Sequence, residues 1–250
     1  MVIEMVLFSN LANILYPILF LVLSYLIGAI PNGLIFGLIF KHQDIRKLGS
    51  GNIGSTNTIR NFGLGIGIPV FILEVLKGGI MIILVKYVFD TRIFDNKVPL
   101  IFYGMCAALG HLFPIYIKFK GGKIVAPSLG ILLALSPVPA VSCLIMFWII
   151  IFTVGYVSIA SCSAAVTAVI VMWIQYAVNL QTDSLGLDYL FGSPELVTCI
   201  MYTVLGLVIM FRHKSNFKRL REGTEAKAKI KIRMEEKKRV KLENKNVEEN

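Results

Sequence analysis

Residues 11–40 read LANILYPILFLVLSYLIGAIPNGLIFGLIF and contain no charged side chain. A helix rises about 1.5 Å per residue, so crossing a hydrocarbon layer of about 30 Å takes roughly 20 apolar positions. This run exceeds that length, and its apolar residues are continuous rather than alternating. Lipid offers the backbone no hydrogen bonds, whereas a helix closes its own. The stretch therefore predicts a spanning helix, broken near Gly28, Pro31 and Gly33. It is too long for the apolar region of a cleaved leader and has no basic segment ahead of it, so it is expected to be retained.

The same reading extends along the chain to residues 64–89, 99–117, 125–135, 141–157, 164–178 and 196–211. Ser136-Pro137-Val138-Pro139 marks an uncharged turn, and residues 158–163 form a small-residue polar break. Hydrophobic residues make up 56% of the 250 positions and only 16% are charged, against about 25% in soluble proteins. Mean hydropathy is +0.74. The expected fold is an all-α integral membrane bundle of about seven transmembrane helices with short motif-bearing loops.

Charge sets the expected sidedness. The formal net charge is +10, and residues 212–250 hold 14 of the 25 Lys and Arg with 7 of the 15 acidic residues, a net of +7. Residues 41–61 and 118–123 are also basic. Basic loops stay in the cytoplasm, whereas 90–98, 136–140 and 179–195 are neutral or acidic and belong outside. Parity then places the N-terminus outside, the C-terminus in the cytoplasm and a cytoplasmic turn near residues 158–163. Residues 1–225 form the expected transmembrane domain and 226–250 a charged cytoplasmic tail. That tail suits anionic lipid headgroups; without an aromatic-basic recognition pattern, nucleic acid is not an expected partner. Cys106, Cys143, Cys162 and Cys199 sit in apolar runs without CxxC spacing, which predicts packing and no metal site.

Three polar segments carry the chemistry. Residues 49–60 read GSGNIGSTNTIR. Glycines let a loop turn its N–H groups toward an anion. Ser50, Asn52, Ser55 and Asn57 add neutral donors, and Arg60 can grip a phosphate in a bidentate fork. An ordinary turn between spans accounts for the glycines equally well. The second segment carries His111 and then Gly121-Gly122-Lys123. It lacks the GxxxxGK[ST] pattern of a nucleotide loop, and a charged topological turn is its plainer reading. The third, residues 212–225, contains His213, Asn216, Arg219 and Glu225; of these, topology accounts only for Arg219. Glu74 and Lys77 lie three apart on one helix face, at ion-pair spacing. Together the segments point to an anionic, phosphorylated ligand at the membrane surface.

These stretches, with Gly28 to Gly33, Asp44-Ile45-Arg46, Leu76-Lys77-Gly78, GHLFPIYIKFKGGK at 110–123 and RHKSNFKRLREGTE at 212–225, resemble the bacterial acyl-phosphate:glycerol-3-phosphate acyltransferases (PlsY type). The resemblance covers roughly residues 20–226. It implies transfer of a fatty acyl group from acyl-phosphate to the 1-hydroxyl of glycerol-3-phosphate, giving lysophosphatidate and phosphate, the first acylation of phospholipid synthesis. It implies a bacterial inner-membrane location, a cytoplasmic site, no cofactor, and an acyl-phosphate-producing enzyme as the supplier of the donor. Ser50, Asn52, Arg60, His213 and Asn216 are the implied catalytic residues. Gly51, Asn57, Lys77, His111, Gly121, Gly122, Lys123, Ser158, Ser161, Arg219 and Glu225 are the implied substrate-binding residues. The family pattern continues GGK with G-V-A-T, where this chain has Ile124-Val125-Ala126-Pro127, so a donor N–H is missing at Pro127.

An acyl-phosphate is already activated, so orientation and charge neutralisation suffice. The base is His213 or a substrate phosphate oxygen. A His-x4-Asp acyltransferase pair is absent, because Lys47, Tyr116 and Lys218 stand five residues after the three histidines. A transporter of a phosphorylated solute or an inactive divergent copy are the alternatives. The one-sided placement of the motifs and the lack of an internal repeat weigh against transport.

Overall fold

The computed structural model describes residues 2–89, 98–182, 194–228, 230–232, 234–236 and 239. Most of the expected outer loops at 90–98 and 179–195, and most of the far tail, lie outside these residues. Every regular element among the described residues is helical. Helix α1 spans Val2–Ala29 and α2 spans Asn32–Lys41, with a 41° bend between them. The bend falls where the sequence places Pro31, which has no N–H to donate and disfavours helical geometry at Ile30.

The short helix α3 spans Ser55–Phe62, and α4 spans Leu64–Leu84, continuing through a wide turn to Phe89. Then come α5 (Ile101–Leu112), α6 (Val125–Leu135), α7 (Pro137–Thr153) and α8 (Val157–Thr182). Helix α9 spans Leu196–Arg212, and α10 spans Lys214–Arg221 after a second 41° bend at His213.

Each expected apolar run is mostly helical, but span length is another matter. Residues Leu64–Phe89 and Val157–Val178 are each long and apolar enough to cross a membrane, or four segments if each bent pair counts as one. Helices α5 and α6, with 12 and 11 residues, are only about 16–18 Å long at 1.5 Å per residue. The turn expected at 158–163 lies earlier, at residues 154–156, where Gly155 has φ +89°. Ser158 and Ser161 instead open α8, their side chains buried against other elements.

Packing follows membrane rules. Large apolar side chains such as Ile145, Ile170, Leu207 and Phe211 are exposed, on faces that lipid would cover. Inside, polar side chains tie helices together: Tyr202 Oη donates to Ser128 O (3.3 Å) and Ser136 Oγ to Gln175 Oε1 (2.9 Å). Lipid tails are as apolar as leucine, so helix association relies on close packing and such bonds. The α4–α6 crossing is the closest case. A Cβ on Gly130 would stand 1.9 Å from Val75 O, and one on Gly78 would stand 2.0 Å from Pro127 O.

Alanine in place of a helical glycine ordinarily gains about 0.5–1 kcal/mol. At Gly130 the backbone carbonyl cannot yield, so Gly130→Ala is expected to destabilise by about 1–3 kcal/mol. Thermal unfolding in detergent reads this out, and a midpoint at or above that of the parent chain would contradict the crossing described.

Candidate active site

The first motif is built around one side chain. Asn57 Nδ2 donates to the carbonyls of Ile45 (3.2 Å), Leu48 (3.0 Å) and Asn52 (2.9 Å). Its Oδ1 accepts from Ser50 N (3.1 Å) and Asn61 Nδ2 (3.0 Å). The carboxamide is thus occupied by the loop it organises. Asn52 Oδ1 accepts from Gly54 N (2.8 Å), turning the chain into α3. Gly51, at φ +69°, donates its N–H to Leu48 O (2.9 Å). These bonds hold Ser50 and Asn52 at the cavity wall, and α3 carries Arg60 onto the same wall.

The second motif rests on a buried charge cluster. Glu74 Oε2 lies 2.7 Å from Lys77 Nζ and 2.8 Å from His111 Nδ1, while Oε1 accepts from Asn32 Nδ2 (3.1 Å). Lys77 Nζ also donates to Ile30 O (3.0 Å), a carbonyl at the α1–α2 break that accepts from Asn32 N (3.1 Å) as well. Glycine is required at 121 and 122 by the approach of α5. A Cβ at Gly121 would meet His111 O at 2.1 Å, and one at Gly122 would meet His111 Nε2 at 2.0 Å. Arg212 Nε and Nη2 donate to the carbonyls of Gly122 (3.2 Å) and Gly121 (3.1 Å), so the glycine turn presents its oxygens to α9. Lys123 follows and points into the cavity. Helix α6 starts at Val125, after Ile124, with no side-chain cap, which leaves the first amides and the positive end of the helix dipole at the cavity wall. Pro127 sits in that first turn, where an N–H would lack an intrahelical partner in any case.

The third motif is organised by Glu225. Its Oε1 accepts from Asn216 Nδ2 (2.8 Å) and Ser158 Oγ (3.2 Å), and its Oε2 accepts from Arg219 Nε (2.7 Å). Asn216 Oδ1 in turn accepts from Lys123 Nζ. The second and third motifs are therefore joined through Lys123, Asn216 and Glu225. His213 Nδ1 lies 2.8 Å from Ile209 O. A carbonyl only accepts, so Nδ1 carries the proton and the neutral ring keeps its lone pair at Nε2.

A cavity of about 780 Å³ brings the three motifs together, within the usual range of ligand sites. Ser50, Asn52, Asn57, Arg60, His111, Lys123, Ser158, Ser161, His213, Asn216 and Glu225 all line it. Gly51, Lys77, Gly121, Gly122 and Arg219 stand behind that lining and support it through the bonds and contacts above. The apolar lining comes from Leu64, Ile68 and Phe71 of α4, Phe147, Trp148 and Ile151 of α7, and Val125 and Ala126 at the start of α6. The lining thus combines basic and polar side chains of the three motifs with apolar walls from α4, α6 and α7. No group of three metal-ligating side chains occurs among the described residues.

Electrostatics at the polar lining favour anions. Burial, and then the neighbouring Arg219 and Arg60 charges, push the Lys123 ammonium down to about 8. Burial alone would raise the Glu225 carboxyl, but the Asn216 amide and the Arg219 guanidinium hold it below the usual range. Glu225 is spent on internal partners, so Arg60 and Lys123 retain positive charge toward the cavity. Sequence reading missed Asn32 and Arg212. Asn32 lies within the first run's break, and Arg212 passes for an ordinary basic residue at the end of a span.

Residues 18–223 match the profile of the family described as glycerol-3-phosphate acyltransferase. A glycerol-3-phosphate acyltransferase of Acholeplasma laidlawii is 38% identical over 222 residues, covering 86% of this chain and 94% of that protein. One from Macrococcus caseolyticus is 38% identical over 213 residues, covering 85% and 97%. The crystal structure of PlsY (YgiH), an integral membrane glycerol 3-phosphate acyltransferase, in its glycerol 3-phosphate form superposes with a TM-score of 0.69. It is 31% identical and covers 84% of this chain and 94% of that one. On these matches and this fold, the chain belongs to the glycerol-3-phosphate acyltransferase family.

Proposed function

We propose that this membrane protein transfers a fatty acyl group from acyl-phosphate to the 1-hydroxyl of glycerol-3-phosphate, releasing lysophosphatidate and phosphate. The observation that carries the reading is a single cavity whose lining joins Arg60, Lys123 and the uncapped start of α6 to apolar walls from α4 and α7. The cationic groups suit phosphate, and the apolar walls suit a hydrocarbon chain. The hydroxyl oxygen attacks the acyl carbon, the acyl C–O bond to phosphate breaks, and phosphate leaves with the electron pair. No covalent enzyme intermediate is needed, because the donor is a mixed anhydride.

Ser50, Asn52 and Asn216 orient the hydroxyl and the carbonyl, while Arg60 and Lys123 neutralise developing charge. The hydroxyl proton goes to His213 Nε2 or to a substrate phosphate oxygen. Asn57, Lys77, Arg219, Gly51, Gly121 and Gly122 position these groups, and His111, Ser158, Ser161 and Glu225 complete the wall. Convergence of the basic segments 41–61, 118–123 and 212–225 on one cavity supports a cytoplasmic site in the bacterial inner membrane, with the N-terminus outside. Seven crossings and a catalytic unit of residues 1–225 are part of this proposal. An acyl-phosphate-producing enzyme supplies the donor.

Purified protein given labelled glycerol-3-phosphate is expected to form lysophosphatidate from acyl-phosphate in detergent, without a sealed vesicle. Product from acyl-CoA alone would refute the donor assignment. No product from either donor by folded protein, with solute uptake in vesicles, would favour a transporter.

A further inference from the structure

The family match ends at residue 223, yet the chain beyond it does not leave the site. Ala228 and Ile230 line the cavity together with Ile151 and Val157. The segment is anchored at three points. Arg60 Nη2 donates to Ala226 O (2.9 Å), Ala228 N donates to Gly155 O (2.8 Å), and Lys231 Nζ donates to Phe152 O (2.7 Å) and Thr153 O (2.9 Å). The last two are carbonyls of the final turn of α7, which have no intrahelical donors, so a lysine there caps the helix. The aliphatic part of Lys231 also packs on Gly155, where a Cβ would stand 2.6 Å from Lys231 Cγ. Ile230 remains 42% exposed at the rim, which offers branched apolar surface to whatever enters the cleft.

We infer that residues 226–228 and 230–231 form a strap across the α7 side of the cavity, and that Ile230 is a specificity-determining residue for the acyl donor. The strap ties the arginine of the first motif to the α7–α8 turn and adds apolar wall to the cavity. A hydrocarbon chain seated between α4 and α7 then touches Ile230 near its carbonyl end. Glycerol-3-phosphate, held by the cations, does not. The inference rests on the acyl-transfer reading for its substrate, but its geometry can be tested by binding alone.

The test compares the full chain, Ile230→Ser, and the chain ended after Glu225. One readout is the KM for acyl-phosphate and for glycerol-3-phosphate. The other is calorimetric binding of a long-chain alkyl phosphate, which needs no turnover. Ile230→Ser is expected to raise the donor KM and weaken alkyl phosphate binding by about 10-fold, with the glycerol-3-phosphate KM within about 2-fold. Truncation is expected to show at least the same loss of alkyl phosphate binding. Unchanged alkyl phosphate binding in both folded variants would overturn the strap. If the full chain binds alkyl phosphate, loses it on Ile230→Ser, and forms no lysophosphatidate, the strap stands and the acyl-transfer reading falls. If truncation prevents folding, Ile230→Ser decides alone.

Discussion

Lys123→Ala is expected to lower kcat/KM for acyl transfer by about 10²–10³-fold, the loss typical of removing one preorganised group from a developing charge. Lys123 sits between the Asn216 amide and the start of α6, with Arg60 on the same cavity wall. Its ammonium is the form that binds phosphate oxygens. Because burial and the arginine charges bring it down to about 8, the working cation is present below that pH and is lost above it. The parent enzyme should therefore show kcat/KM falling as pH rises through about 8. Lys123→Arg keeps the charge and should remove that limb while recovering part of the rate. Thermal melts of each variant separate catalysis from folding. A loss smaller than about 5-fold in folded Lys123→Ala would remove this residue from the chemistry.

Glu74→Leu is expected to cost about 3–5 kcal/mol of stability, the usual result of removing one partner from a buried ion pair. Glu74 is 1% exposed and faces Lys77, His111 and Asn32 from three different helices. Without the carboxylate, Lys77 is left with the Ile30 carbonyl and no counter-charge. The double variant Glu74→Leu, Lys77→Met should recover part of the loss, because it removes the stranded charge as well. Thermal unfolding in detergent reads both. A single variant that melts with the parent chain would show that the cluster is solvated rather than buried, and the account of how His111 is held would fail with it.

The helical class, the approximate position of most apolar runs, the Pro31 break and the motif segments were legible in the sequence, whereas the turn between α7 and α8 lies earlier than composition placed it. Hydropathy, proline stereochemistry and charge act locally and sum along the chain, so they survive without coordinates. The Glu74–Lys77 pair was legible for the same reason, being one helical turn apart. Even so, spacing could not say that His111 and Asn32 share that carboxylate, because those contacts close between helices far apart in sequence.

Tertiary structure alone decided which motif residues face the cavity. Asn57 reads as one more polar residue in a glycine loop, yet five hydrogen bonds consume its amide. Gly121 and Gly122 read most plainly as a charged topological turn, whereas the end of α5 requires glycine there because it leaves no room for a side chain. Residues 226–228 and 230–231 read as the start of a charged tail, yet Ala228 and Ile230 line the cavity. The Arg60 bond to Ala226 spans 166 residues, and the Lys123 bond to Asn216 spans 93. Such contacts are fixed by how helices cross, and crossing depends on packing at sites such as Gly78 and Gly130. The sequence by itself set what each segment is made of and which solvent it tolerates; only the packed bundle set what each segment touches.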